Sequence, residues 1–259
     1  MLNYKLLISI ILILHCYFSV LNTLSLQKCP KEYGAQIQIV ETKNGKLNGS
    51  CVFVDVTDDK ELSSGNVYSW LGIPYAEVPI NTNRFQRPIP IKSWSDPLDA
   101  TKIPNSCVQH YTSRISDKIF QTKNNNMSED CLYLNVWSPE KVIHNFNMKQ
   151  QQNEKLFPIL VFFPGTESTS MLDIYDPSIL VTVSEIIVVT VNYRVGIFGF
   201  LNLNNNNNNN TTNNGLFDQY LALKWISENA AVFGGDSSRI TIWSHGNTGT
   251  QLVSYHLFQ

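Results

Sequence analysis

Apolar and polar positions along the chain form three kinds of pattern, and each predicts a different element. Alternation marks the first half. Gln36 to Val40 (QIQIV) and Cys51 to Val56 (CVFVDV) alternate on either side of an Asn44-Gly45 turn, which predicts two strands joined by that turn. Leu132 to Trp137 (LYLNVW) alternates as well. Ser69 to Tyr75 (SWLGIPY) reads as a short strand closed by Pro74, and Pro79, Pro88 and Pro90 then prescribe an irregular surface path. Residues 107–131 and 140–155 are polar and read as loops, the first bounded by a cysteine at each end.

Unbroken apolar runs mark the second half. Phe157 to Phe163 (FPILVFF), Ile186 to Val191 (IIVVTV) and Ile240 to Trp243 (ITIW) fit strands buried on both faces of a mainly parallel sheet. Between the last two, Phe217 to Asn229 has helical spacing, with Phe217, Leu221, Leu223, Trp225 and Ile226 assigned to one face. Strand, helix, strand is the α/β pattern, with right-handed crossovers expected. Seven consecutive asparagines, Asn204 to Asn210, lie within a low-complexity stretch, 202–214, that reads as a solvated surface insertion.

The N-terminus changes the picture of where the chain resides. Leu6 to Val20 is apolar apart from Ser9, His15 and Ser19, and follows a single lysine. Residues 1–25 therefore read as a secretory signal and 26–259 as the domain; an uncleaved anchor is the competing reading. No second apolar run has spanning length. Removing the signal removes Cys16 and leaves Cys29, Cys51, Cys107 and Cys131, an even number suited to an oxidising compartment. Four cysteines allow three pairings, of which Cys29 with Cys51 and Cys107 with Cys131 is the simplest. Sequons at Asn48, Asn126, Asn209 and Asn210 agree with a secreted, extracellular glycoprotein. Composition adds exclusions. The 259 residues are 43% hydrophobic and 15% charged with a formal net charge of -2, so the chain is globular and carries no basic stripe for nucleic acid. The cysteine spacing does not resemble a metal site, and no cofactor is implied.

Several strings together resemble the type-B carboxylesterases and, within them, the cholinesterases. They are YSWLGIPYAEVP (68–79), RFQRP (84–88), MSEDCLYLNVWSP (127–139), VNYRVGIFGFL (191–201), NGLFDQYLALKWISENAAVFGGD (214–236) and RITIW (239–243). The resemblance covers about residues 36–259. It implies an α/β-hydrolase fold, here the N-terminal half of its central, mostly parallel sheet with flanking helices. It implies that Cys107 and Cys131 close a surface loop, and that Arg84 pairs with Glu129 and Arg194 with Asp218. It also places the triad Glu and His beyond Gln259, which makes an incomplete copy of a longer product one expectation.

The same resemblance exposes what the chemistry lacks. A serine esterase of this fold needs Gly-x-Ser-x-Gly on a sharp strand-to-helix turn. After RITIW this chain reads Ser244-His245-Gly246-Asn247-Thr248-Gly249. Counted from the strand, Ser244 takes the first glycine's place, Gly246 the nucleophile's and Thr248 the second glycine's. A glycine offers no oxygen for an acyl-enzyme. The family's oxyanion glycines are reduced to Gly165 in Phe163-Pro164-Gly165-Thr166-Glu167-Ser168. That loop is about three residues shorter than the resemblance requires, and Glu167 brings negative charge to where an oxyanion would form. At the cholinesterases' cation-binding tryptophan stands Gln121, with Phe120 beside it, and Thr112 replaces the acidic rim residue. The expected class is therefore a non-catalytic, cholinesterase-like secreted protein with an extracellular protein partner; the alternative is a carboxylic ester hydrolase. Oligomeric state is not legible.

Overall fold

The computed structural model of the chain describes residues 25–29, 38–55, 64–109, 127–140, 156–164, 176–202 and 212–244. In order, it contains strands β1 (Ser25–Lys28), β2 (Gln38–Glu41), β3 (Lys46–Asp55), β4 (Gly65–Pro74), β5 (Leu98–Asp99), β6 (Ser106–Cys107), β7 (Met127–Ser128), β8 (Tyr133–Pro139) and β9 (Phe157–Phe163). Helix α1 (Ser178–Ser184), strand β10 (Ile187–Val191), helices α2 (Gly196–Phe200) and α3 (Asn214–Asn229), and strand β11 (Gly235–Ser244) follow.

Nine strands form one mixed sheet, ordered β1-β3-β4-β8-β10-β9-β11, with β2 and β5 added on β3. The pairings from β1 through β3, β4 and β8 to β10 are antiparallel. Parallel pairing along the main order is confined to β10-β9-β11. The α/β class holds, and the expectation of a mostly parallel sheet applies only to that last trio. A tight turn joins β2 to β3: the Thr42 hydroxyl oxygen accepts from the backbone N–H groups of Asn44 and Gly45, each at 3.2 Å.

Helices cover the sheet on two faces. On one, Trp225, Ile226 and Ala222 of α3 join Trp70, Ile73, Leu134, Val136, Val161, Val189 and Val191 in the larger core. On the other, Val181 of α1 packs with Val54, Val67, Trp137 and Val188. Successive β10 residues point to opposite sides and all five are buried, as its unbroken apolar run predicts. Trp70 is fully buried and meets Phe233 edge-on at 5.1 Å. A side chain on Gly49 would approach the Trp70 indole nitrogen to 2.5 Å, so this ring dictates the glycine in β3.

Two expectations are corrected. The inward face of α3 carries Gly215, Asp218, Gln219, Ala222, Trp225, Ile226 and Asn229, whereas Phe217, Leu221 and Leu223 are only half-buried. Asp218 points inward because Arg194 bonds it there, as described below, and Asn229 because its amide bonds the Lys43 N–H and the Trp225 carbonyl. The run Ile240 to Trp243 is not buried on both faces: Thr241 is exposed and its neighbours are half-buried. Among the described residues β11 pairs with β9 alone.

Candidate functional site

Because β10, β9 and β11 run parallel, their carboxyl ends open on one edge, where ligands of α/β sheets are bound. β9 ends at Phe163 and β11 at Ser244, and these two residues are register partners. The Ser244 hydroxyl donates to the Phe163 carbonyl at 2.8 Å. One residue earlier, the Phe162 and Trp243 rings lie 4.5 Å apart. Ser244 is thus the last residue of a paired strand, and its proton is already committed to the backbone.

Beyond β9, the Pro164 carbonyl accepts from the Tyr193 hydroxyl at 2.7 Å. Beyond β10, the Asn192 carbonyl accepts from the Tyr75 hydroxyl, also at 2.7 Å. Burial pushes both phenols well above their ordinary range. Both hydroxyls thus donate to backbone carbonyls at the ends of β9 and β10. His245, Gly246, Asn247 and Thr248 of the expected elbow lie outside the described residues, as do Gly165, Thr166 and Glu167 of the oxyanion loop and Thr112, Phe120 and Gln121.

The structure brings together the two charged pairs. Arg194 is buried against Asp218: its Nε and Nη2 donate to the carboxylate at 2.8 and 2.7 Å, and its backbone N–H adds a third bond at 3.0 Å. Burial pushes the Asp218 carboxyl up, and the three bonds and positive charge from Arg194 pull against that shift. The strings VNYRVGIFGFL and NGLFDQY are shaped by this arginine. Side chains at Gly199 and Gly215 would come within 2.1 and 2.5 Å of the Arg194 carbonyl, so both glycines let α2 and α3 close around it. Arg84 forms the second pair with Glu129 through two bonds of 2.5 and 2.8 Å, on a half-exposed surface.

The RFQRP segment does more than its charges suggested. Phe85 has a left-handed backbone, φ 61°, which a bulky residue rarely adopts. Its ring stacks on Phe198 of α2 at 5.6 Å, and its carbonyl accepts from the Asn214 amide at 2.9 Å. The Gln86 carbonyl accepts from Arg194 Nη1 at 2.8 Å, and the Arg87 guanidinium lies 3.9 Å from the Phe217 ring centroid. Periodicity could not reveal these contacts, because each is made by an irregular segment with a partner over 100 residues away. The interleaving of Arg and Phe before a proline is the one signal that marks the segment.

Both disulfides have the simplest of the three pairings. Cys29 joins Cys51 with Cα atoms 5.8 Å apart, and Cys107 joins Cys131 at 5.0 Å. Asn48 lies half-buried in β3, between β2 and β5, and the middle residue of its sequon is the Gly49 that Trp70 requires. Asn126, Asn209 and Asn210 lie outside the described residues, as does the expected signal through residue 24. Among the described residues no group of His, Cys, Asp and Glu is arranged to hold a metal, and no helix is long and apolar enough to cross a membrane.

A profile of the carboxylesterase family matches residues 36–259. The chain belongs to that family. It is 37% identical over 238 residues to an acetylcholinesterase of Leptinotarsa decemlineata, covering 88% of this chain and 36% of that protein. It is 42% identical over 193 residues to acetylcholinesterase 1 of Caenorhabditis briggsae, covering 73% and 29%. It is 38% identical over 225 residues to a cholinesterase of Mus musculus, covering 85% and 34%. This carboxylesterase-family chain thus spans about a third of the length of the curated relatives it matches.

Proposed function

We propose that this chain is a non-catalytic, cholinesterase-like extracellular protein that uses the family scaffold to bind a protein partner. The observation that carries the reading is the Ser244 bond to Phe163. It supports counting the elbow from the end of β11, which puts Gly246 at the nucleophile's place. Counting back from Gly249 as the motif's second glycine gives Asn247 instead. Neither residue has a hydroxyl or thiol to attack an ester. Framework features within the described residues are nevertheless in place: both disulfides, both charged pairs and the glycines around Arg194. A scaffold kept while its chemistry is dismantled fits recognition.

Secretion follows, on this reading, from the apolar leader and the disulfides, and the sequons would carry glycans on the exposed product. The test has two arms. The secreted protein should bind saturably to an extracellular surface, and it should hydrolyse a simple aryl ester no faster than buffer does. Turnover above buffer that disappears in Ser244→Ala would favour the alternative, a carboxylic ester hydrolase, which family membership supports.

A further inference from the structure

We propose that Arg84 to Pro88 is a strained clasp that couples the base of the Cys107–Cys131 loop to the start of α3, so that the two hold or release together. The segment spans the two regions with four separate anchors. At its first residue, Arg84 grips Glu129, two residues before Cys131. At its second, Phe85 stacks on Phe198 and its carbonyl is held by Asn214, the first residue of α3. At its third, the Gln86 carbonyl is held by Arg194, which is itself locked to Asp218 in the first turns of α3. At its fourth, Arg87 lies over Phe217 of the same helix.

The left-handed backbone at Phe85 costs free energy that persists only where surrounding contacts over-determine it. Here those contacts come from both sides. Pro79, Phe85, Cys107, Glu129, Arg194 and Phe198 meet around one narrow cleft, so the clasp, the disulfide and the buried arginine share a boundary. Losing either end removes part of what holds Phe85 in its conformation, and relaxation of Phe85 must shift Arg84 on its loop side and the Phe85 and Gln86 carbonyls on its α3 side. The two ends also differ in exposure. The Glu129 pair is half in solvent, while the Asp218 pair is fully buried. Salt screens the first and spares the second, so added salt acts on the coupled unit through its loop end.

The experiment is amide hydrogen exchange read by mass spectrometry on the full chain, with the single variants Glu129→Gln and Asn214→Ala and their double. Glu129 has no bond to α3 among the described residues. Glu129→Gln should nevertheless raise the opening constant of residues 213–218 by roughly threefold or more. Asn214→Ala should do the same at 127–131, and the double should fall short of the product of the singles. Effects confined to each variant's own end, multiplying in the double, would overturn the proposal. If a variant does not fold, the unaltered protein gives the answer. Raising sodium chloride from about 0.05 to about 1 M should quicken exchange at 213–218 along with 84–88 and 127–131, and quickening at the latter two alone contradicts it.

Discussion

Ser244 and Phe163 close the parallel pairing of β11 and β9, with the serine hydroxyl donating to the phenylalanine carbonyl at 2.8 Å. This bond makes Ser244 a strand residue. A nucleophilic serine of this fold sits instead on the turn beyond the strand, with its oxygen presented to the substrate. Ser244→Ala should therefore leave ester turnover at the buffer rate and cost about 0.5–1.5 kcal/mol of stability for the lost bond, read from the urea midpoint. A normal midpoint with altered turnover would argue for a chemical role.

Arg194 and Asp218 should behave as a buried pair whose members are needed together. Arg194→Met or Asp218→Asn alone should lower stability by about 3–5 kcal/mol, because each leaves its partner's charge uncompensated in the core. Replacing both, as Arg194→Met with Asp218→Asn, should cost less than the sum of the single losses. Equilibrium unfolding of the four proteins of this cycle provides the check, and additive losses would show the pair to be uncoupled.

Gly215 offers a test in which local propensity and packing predict opposite signs. In an exposed helix, glycine to alanine stabilises by about 1 kcal/mol. Here the new methyl would lie 2.5 Å from both the Arg194 carbonyl oxygen and the Phe200 ring. Gly215→Ala should destabilise by about 1–3 kcal/mol, as overpacking does. A rise in melting temperature would mean that α2 and α3 separate more easily than their contacts suggest.

Asp236, at the irregular start of β11, accepts from the Ser238 hydroxyl and backbone N–H and from Arg239. These bonds and the arginine hold its carboxyl at about 2, below the ordinary carboxylate value of about 3.9. A carboxyl depressed in the folded state stabilises when ionised. Its contribution is complete above about pH 4 and fades as pH falls through about 2. The Asp236 carboxyl resonance should titrate near 2, and Asp236→Asn should flatten the acid limb of the stability profile between those values. A midpoint near 4 would mean the turn does not persist in solution.

How much of this was legible in the sequence depended on whether a signal was local. The run Phe157 to Phe163 became β9 residue for residue, because a strand buried on both faces has no polar position to blur its ends. The strand expected over Ser69 to Tyr75 starts earlier in the structure: β4 begins at Gly65, because Gly65 to Ser69 pair with β3, a partner that the local pattern does not reveal. The α3 face was misassigned because Asp218 and Gln219 point inward, and only Arg194, 24 residues earlier, makes that favourable for Asp218. The charged pairs were legible through family resemblance alone. The clasp was not, because the conformation of Phe85 is imposed by partners in other elements.

The most direct test of the central claim is the intact mass of the secreted chain after exposure to an excess of a fluorophosphonate, which phosphonylates activated serines irreversibly. An unreactive elbow predicts an unchanged mass and no modified peptide across residues 244–254. A stoichiometric adduct on a serine of that peptide, abolished by prior unfolding, would contradict the non-catalytic reading.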